Sequence, residues 1–241
     1  MSEILLQLDG VHTHIGAYHI LHGVDLAVPA GQLTMLLGRN GAGKTTTLRT
    51  IMGLRRASSG SVRFAGQDIT ALRTPQIAQQ GIAYVPENMG IFSDLTVKEN
   101  MLLAARGARS AGEIDDTRLQ WIFRLFPAVQ KFWNHPAGKL SGGQKQMLAV
   151  ARAIVEPRRL LIIDEPSKGL APAIINNMID AFAELKAGGV TILLVEQNLN
   201  FAQRLGDSVA VMDNGRVVHA GRMDDFSRDE ALQQSLLGLA L

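Results

Sequence analysis

The sequence of 241 residues contains no cysteine. This absence excludes a disulfide scaffold, a thiolate metal site and a cysteine nucleophile. No apolar run approaches the roughly 18–20 residues that a membrane-spanning helix requires. Residues 1–4 do not resemble a secretion signal, because no basic region precedes an apolar stretch. If the protein works at a membrane, we therefore expect it to bind a partner that spans it.

An excess of charge of one sign is also missing. The 24 basic and 22 acidic residues give a formal net charge of +2 at pH 7. Nucleic acid is therefore not an expected partner, because proteins that bind it usually carry a basic surplus. Hydrophobic residues make up 46% of the chain and charged residues 19%, which is the balance of a folded protein.

Short β-type runs alternate with helical patterns in the first and last parts of the chain. This alternation predicts an α/β fold with a largely parallel sheet and crossover helices. The predicted strands are 4–8, 24–28, 33–37, 61–64, 82–85, 160–163, 190–195, 208–212 and 216–219. The predicted helices are 43–53, 97–106, 117–126, 142–155, 172–186 and 198–205. The apolar end, 235–241, is expected either to pack on the body or to fray.

Between residues 88 and 155 the β-branched runs disappear and helical spacing dominates. We interpret residues 1–241 as a single domain in which a helical subdomain, approximately 88–155, is inserted. The core then consists of segments 1–87 and 156–241.

A glycine-rich loop between a predicted strand and a predicted helix fits the pattern G-x-x-x-x-G-K-[ST]. Glycines allow backbone N–H groups to converge on a phosphate at the positive end of a helix. The lysine supplies a charge for the terminal phosphates, and the first threonine supplies a hard oxygen for magnesium. The predicted ATP-binding residues are Gly38, Arg39, Asn40, Gly41, Ala42, Gly43, Lys44, Thr45 and Thr46.

A second glycine-rich motif, Ser141-Gly142-Gly143-Gln144, opens another predicted helix. A serine and two glycines at a helix start also favour an anion. One chain has little use for two distant phosphate sites, whereas two chains placed head to tail have a use for both. The motif is therefore predicted to contact the nucleotide that a partner chain holds. In isolation, an ordinary capped helix explains the same residues.

An apolar run, 160–163, leads into the acidic pair Asp164 and Glu165. Ligands of open α/β sheets bind at the carboxyl ends of the strands, which is where this pair is expected to lie. Asp164 is predicted to hold magnesium, and Glu165 to take the proton from the attacking water. A solvated acidic turn is the alternative explanation for this motif alone.

The three motifs occur once each and in this order, and together they resemble the ABC ATPase family over nearly the whole chain. The resemblance implies a RecA-like core with a phosphate loop, a small antiparallel β region and an inserted helical subdomain. It also implies ATP and Mg²⁺ as cofactors, and a dimer that closes around ATP.

Finer segments resemble the F-type ATP-binding subunit of bacterial branched-chain amino acid importers. They are the residues 84–87 together with 91–92 and 95–97, and the segments 165–172 and 194–198. The broader group also includes carriers of urea and amides. The resemblance implies a second, different ATPase subunit, two integral-membrane permeases and an external solute-binding protein. It places the chain peripherally at the cytoplasmic face of the inner membrane.

Three positions depart from the general family pattern. Glu87 stands where glutamine is usual, and it joins Thr45 and Asp164 as an expected magnesium contact. Gln197 stands where histidine is usual, and with Glu165 it is an expected catalytic residue. Because Gln197 carries no imidazolium charge, hydrolysis is expected to lack a histidine-type pH dependence near neutrality.

The third departure concerns the contact with adenine. Ile15 stands where the family usually has an aromatic residue, just before Gly16. Tyr18 or His14 are the aromatic alternatives nearby, and aliphatic contact from Ile15 is the other explanation.

Two other functions remain open from the sequence. A soluble ABC ATPase of translation or DNA repair commonly has two cassettes or a long coiled-coil insert, and the chain has neither. A nucleotide sensor that does not hydrolyse ATP is the other alternative, and Glu87 and Gln197 are consistent with it. An ATPase assay distinguishes such a sensor from an ATPase.

A metal site at the histidines near the start is less expected than solvated side chains, because no acidic or sulfur ligand completes a shell. These histidines are His12, His14, His19 and His22.

Overall fold

The computed structural model describes residues 3–105 and 110–238, without the side chain of Ala111. The strands are Ile4–Ile15 (β1), Tyr18–Pro29 (β2), Leu33–Gly38 (β3), Ala57–Phe64 (β4), Gln67–Asp68 (β5), Ile82–Val85 (β6), Leu160–Asp164 (β7), Thr191–Val195 (β8), Ser208–Asp213 (β9) and Arg216–Arg222 (β10). The α-helices are Lys44–Ile51 (α1), Thr74–Gln79 (α2), Val97–Ala104 (α3), Asp116–Leu125 (α4), Pro127–Lys131 (α5), Gly142–Ile154 (α6), Pro172–Ala187 (α7), Leu199–Leu205 (α8), Met223–Arg228 (α9) and Glu230–Leu237 (α10). Short 3₁₀ turns cover Ala111–Glu113 and Ala137–Lys139.

The larger sheet has the strand order β10-β9-β3-β8-β7-β6. Its strands from β9 to β6 run parallel, and β10 is antiparallel to β9. Every residue of β3, β7 and β8 is buried. Burial on both faces is the normal state of a parallel sheet, and it explains why these strands are continuous apolar runs in the sequence.

The two faces of this sheet belong to two separate hydrophobic cores. Leu36 and Ile162 point into the core shared with the smaller sheet, whereas Leu37 and Ile163 point into the core shared with the helices. Neighbouring residues take opposite sides because side chains alternate along a strand. Packing on both faces of the sheet therefore holds in place the edge at which the carboxyl ends of the strands lie.

The smaller sheet is antiparallel and has the order β2-β1-β4-β5. The strands β1 and β2 are longer than predicted, since the sequence indicated strands only at 4–8 and 24–28. Shifts of register between β1 and β2 break the apolar alternation in the outer half of this hairpin. Bulges of this kind hide the period-2 pattern, which explains why the sequence predicted only part of each strand.

Helices α3 to α6 occupy most of the segment that was interpreted as the helical subdomain. The predicted helix 97–106 ends at Ala104 in the structure, and its last residue, Arg106, lies outside the described residues. Ser141 and Gln144 form a reciprocal capping box at the start of α6, which stabilises the helix start. The subdomain boundaries and the single-domain division stay a prediction.

Several short elements were not predicted, namely β5, α2, α5, α9 and α10. The helix α10 replaces part of the tail that was expected to pack or fray, and its residues Leu236 and Leu237 pack against the helical core. Helices of five to eight residues contain too few turns to show a clear 3.6-residue period. Within residues 3–105 and 110–238, no helix combines the length and apolarity needed to cross a bilayer.

Candidate functional site

The loops after β3, β8, β7 and β6 meet at one edge of the larger sheet. These four strands are neighbours in that spatial order and run parallel, so their carboxyl ends lie side by side. The loops carry Lys44, Gln197, Glu165 and Glu87, respectively. Residues that are far apart in the sequence are therefore brought together at the position where open α/β sheets bind ligands.

The predicted phosphate loop connects β3 to α1. Gly38 has a φ of +145°, and a Cβ there would collide with the carbonyl oxygen of Met212. The Lys44 ammonium donates to the carbonyl oxygens of Gly38 at 2.7 Å and Arg39 at 3.0 Å. Burial lowers the pKa of Lys44, and the nearby Glu165 and Asp164 oppose that shift. The loop thus presents a positive charge on a closely held backbone turn.

The turn between β9 and β10 braces the same loop. The N–H of Gly215 donates to the carbonyl oxygen of Ala42 at 2.9 Å, and its carbonyl accepts from the N–H of His22 at 2.8 Å. Asn214 and Gly215 have φ values of +45° and +73°. An Asn-Gly pair in this conformation is the usual signal of a tight hairpin, but its contact with the phosphate loop was missed.

Thr45 and Asp164 lie in contact beside the phosphate loop. The Thr45 hydroxyl donates to Oδ1 of Asp164 at 3.2 Å, and Asp164 is 1% exposed. Burial raises the pKa of Asp164, because the charged carboxylate is poorly solvated there. A hydroxyl and a carboxylate are hard oxygen donors of the kind that Mg²⁺ prefers, so these two residues fit the ion.

Within the described residues, no three His, Cys, Asp or Glu side chains form a ready metal cluster. A magnesium ion that is bound through one or two side chains and the phosphates of its nucleotide needs no such cluster. The donor set of Thr45 and Asp164 agrees with that mode of binding.

Glu165 follows β7 with a backbone φ of +48°. A left-handed conformation costs a residue with a Cβ about 1–2 kcal/mol, and such strain clusters at functional sites. One carboxylate oxygen accepts from Nε2 of Gln197 at 2.5 Å and lies 3.9 Å from the Lys44 ammonium. Gln197 also donates to Oδ1 of Asn40 at 2.8 Å. The two predicted catalytic residues are therefore in direct contact beside the phosphate loop.

A buried carboxylate that sequence reasoning missed organises this contact. Glu196 is 2% exposed and accepts from the N–H groups of Ser167, Gln197 and Asn198. Burial raises its pKa, and these hydrogen bonds oppose the shift. Glu196 thereby ties the loop after β7 to the loop after β8. The sequence signal that could have identified Glu196 is its position directly after an apolar strand.

Glu87 lies on the outer side of the site. Its Oε1 accepts from the ammonium of Lys168 at 2.5 Å, and that ammonium lies 3.5 Å from Oε2 of Glu165. Lys168, which was not predicted, thus links Glu87 to Glu165. The magnesium contact of Glu87 stays a prediction.

Six of the polar and charged residues described above line an open groove of about 330 Å³, namely Asn40, Lys44, Thr45, Glu87, Glu165 and Lys168. Ile15 and Ile20 form its apolar wall next to Asn40 and Thr46. Tyr18 is 76% exposed at the turn of the hairpin, and His14 stacks on His19 with ring centroids 4.2 Å apart. Of the three adenine candidates, Ile15 is the one that lines the groove, and Ile20 joins it there.

The second glycine motif does not belong to this groove. Ser141 and Gln144 hydrogen-bond to each other, with Gln144 Oε1 accepting from the Ser141 N–H at 2.9 Å. Gly143 packs so closely on α7 that a Cβ would lie 2.8 Å from Cγ2 of Ile174. None of the residues 141–144 is among the described side chains that line the groove. The motif presents Ser141 and Gly142 to solvent.

Comparison with known proteins identifies the family of the chain. The pattern of the ABC transporter family matches residues 21–168. The chain belongs to that family, and it is an ATP-binding cassette ATPase. It is 41% identical over 214 residues to the high-affinity branched-chain amino acid transport ATP-binding protein BraG of Pseudomonas aeruginosa, covering 89% of this chain and 91% of the relative. It is 36% identical to the probable branched-chain amino acid transport ATP-binding protein LivF of Archaeoglobus fulgidus, covering 92% and 93% of the two chains.

Solved structures show the same fold. A nucleotide-free ATP-binding cassette from an ABC transporter superposes with a TM-score of 0.81 at 26% identity, covering 95% of this chain and 97% of that one. A dimeric bacterial ABC transporter cassette gives a TM-score of 0.81 at 25% identity, with coverage of 91% and 99%. The predicted ABC ATPase fold is confirmed.

Proposed function

We propose that the chain drives an importer of branched-chain or related hydrophobic amino acids, or of urea or amides, by hydrolysing ATP. The observation that carries this proposal is the meeting of Lys44, Thr45, Asp164, Glu165 and Gln197 at one edge of the sheet. The named transport function of the similar proteins BraG and LivF supports the substrate class.

The phosphate loop binds the nucleotide. Lys44 neutralises the terminal phosphates, and the backbone of residues 38–46 surrounds them, an arrangement that favours positioning and charge neutralisation over covalent chemistry. Ile15 and Ile20 contact the base through apolar surface. Thr45, Asp164 and Glu87 hold magnesium, which supplies positive charge against the phosphate oxygens when it is bound.

Glu165 accepts the proton of the attacking water. Its carboxylate is fixed by Gln197 and lies near the Lys44 ammonium, so it points into the groove. Gln197 orients the water and the terminal phosphate by hydrogen bonds. A positioned general base contributes about 10²–10⁴-fold to a reaction of this kind.

The motif Ser141–Gln144, in which Ser141 and Gly142 are exposed, contacts the nucleotide of a partner ATPase, which we infer to be a different chain. A solved cassette of the same fold that is dimeric supports the pairing of two such ATPases. Closing and reopening of this dimer moves two permeases at the cytoplasmic face of the inner membrane. An external binding protein delivers the solute.

The proposal is tested with tagged Glu165→Gln protein that is recovered from native membranes in the presence of ATP and magnesium. We expect mass spectrometry to identify two integral-membrane proteins and a second ATPase. The matched control is Lys44→Ala, which binds no nucleotide productively and should lose the ATP-dependent part of this recovery. Recovery of only soluble proteins or ribosomes would contradict the importer.

The solute class is tested by uptake in cells that lack the chain. Uptake of labelled leucine should fall and should return with the wild-type chain but not with Glu165→Gln. Loss of urea or amide uptake alone would move the assignment to those solutes. Absence of ATPase activity in the assembled transporter would favour the nucleotide sensor instead.

A further inference from the structure

Lys168 bridges two carboxylates at the mouth of the nucleotide groove. Its ammonium donates to Oε1 of Glu87 at 2.5 Å and lies 3.5 Å from Oε2 of Glu165. The other oxygen of Glu165 lies 3.9 Å from the ammonium of Lys44. The carboxylate of Glu165 is therefore held between two positive charges, one inside the groove and one at its rim.

The backbone around Lys168 is fixed, although its side chain is 59% exposed. The N–H of Lys168 donates to the carbonyl of Glu165 at 3.3 Å, and the N–H of Leu170 donates to that of Ser167 at 3.1 Å. The buried Glu196 accepts from the N–H of Ser167 at 2.9 Å. Replacement of the Lys168 side chain therefore leaves the loop and the core in place.

The rim of the groove concentrates negative charge. Burial raises the pKa of Asp164, and the nearby charges of Glu165 and Glu87 add to that shift. The hydrogen bond with Glu87 is the largest cause that raises the pKa of Lys168, which stays charged at neutral pH. The ammonium offsets the repulsion between the two glutamates, and any other cation that approaches Glu87 must compete with it.

We propose that Lys168 is a positioning residue that acts as an internal counter-ion. It holds Glu87 and Glu165 together, and Glu87 would have to leave Lys168 in order to contact the magnesium of Mg-ATP. Lys168 thereby sets the magnesium concentration that nucleotide binding requires. The inference rests on the proposed assignment of Glu87, Thr45 and Asp164 to magnesium.

The test measures ATP binding to the isolated chain by calorimetry at increasing magnesium concentrations. Lys168→Met removes the charge and keeps the length of the side chain, whereas Lys168→Arg keeps the charge. We expect Lys168→Met to reach half of the magnesium effect at a concentration about two- to fivefold lower, as an exposed ion pair allows. Lys168→Arg should resemble the wild type.

A double-mutant comparison locates the effect. In a Glu87→Gln background, Lys168→Met should no longer shift the magnesium requirement, because the competing pair is already broken. An unchanged magnesium requirement in Lys168→Met would overturn the inference. Equal weakening of ATP binding with and without magnesium would also overturn it, since Lys168 would then be a phosphate contact.

The response of the wild-type chain to magnesium separates the role of Lys168 from the proposed magnesium site. If magnesium does not affect ATP binding in the wild-type chain, the proposed magnesium site is wrong, and the role of Lys168 falls with it. If the wild type responds to magnesium and Lys168→Met responds identically, only the role of Lys168 is wrong.

Discussion

The nucleotide groove and the Ser141–Gln144 motif differ in how their polar groups are satisfied. At the groove, Glu165 contacts both Lys44 and Gln197, and the three residues follow three different strands. In the motif, Ser141 and Gln144 satisfy each other at the start of one helix. The groove is a tertiary assembly, whereas the motif is complete in its local structure.

This difference fits the proposal that one chain carries two anion sites with separate tasks. The groove depends on the strand order of the sheet, so it exists only in the folded chain. The polar contacts of the motif need only a helix start, and its residues Ser141 and Gly142 face solvent where another molecule can reach them. Changes in the two regions should therefore separate nucleotide binding from the contribution to a partner.

The largest effect is expected from Glu165→Gln. Turnover in the assembled transporter should fall by at least about 10²-fold, because the general base is lost. Nucleotide binding to the isolated chain should persist, since Lys44 and the phosphate loop are unchanged. Phosphate release and calorimetry measure the two quantities. Turnover equal to that of the wild type would remove Glu165 from its proposed role.

The next largest effect is a difference in stability between variants at the two glycines of the motif. Gly143→Ala should lower the free energy of unfolding by about 1–3 kcal/mol, because the added methyl group presses on Ile174. Gly142→Ala is the matched control, since a Cβ there meets no atom within 4 Å. Urea denaturation measures both.

The same pair also tests the partner contact. Gly142→Ala should leave nucleotide binding to the isolated chain unchanged and lower turnover only in the assembled transporter. Reduced nucleotide binding in the isolated chain would mean that the motif serves its own groove.

A smaller effect tests the strain at Glu165. Because its φ is +48°, Glu165→Gly should be more stable than Glu165→Ala by about 1 kcal/mol. Both variants remove the carboxylate, so the difference between them isolates the backbone. Thermal unfolding of the two variants measures it. Equal stability would show that the left-handed backbone at this position is not strained.

The smallest effect concerns the histidines of the hairpin, outside the groove. Partial burial and then the neighbouring His19 and Arg216 lower the pKa of His22 below 6.5, with further contributions from His12 and His14. The unfolded chain therefore binds a proton more readily, so stability is present above pH 6.5 and is lost as the pH falls through the folded value.

His22 should thus lower the melting temperature between pH 7.5 and pH 5.5, so His22→Asn should keep a higher melting temperature at pH 5.5, relative to its value at pH 7.5, than the wild type does. Both pH values are set around the ordinary pKa of histidine, about 6.5. Asp164 and Glu196, whose pKa values are raised by burial, contribute in the opposite sense in both proteins. An identical fall in the two proteins would exclude His22 as the cause.

Most of the features predicted for the site rest on short motifs of contiguous residues. The phosphate loop is recognisable because its glycines, Lys44 and Thr45 are contiguous and follow an apolar run. The acidic pair is recognisable because Asp164 and Glu165 end a strand that is buried on both faces. The long hairpin was underestimated because its bulges disrupt the alternation on which strand prediction depends.

The sequence by itself determined the class of the protein, the phosphate loop, the acidic pair and the helix that Ser141 begins, because each depends on neighbouring residues. Only the tertiary structure decided that Lys168 lies between Glu87 and Glu165, that Glu196 ties two loops together and that Ile20 lines the groove. These contacts follow from the order β3-β8-β7-β6 and from the fold of the hairpin. The physical reason is that strand order is set by packing over the entire core, whereas a motif is set by the chain around it.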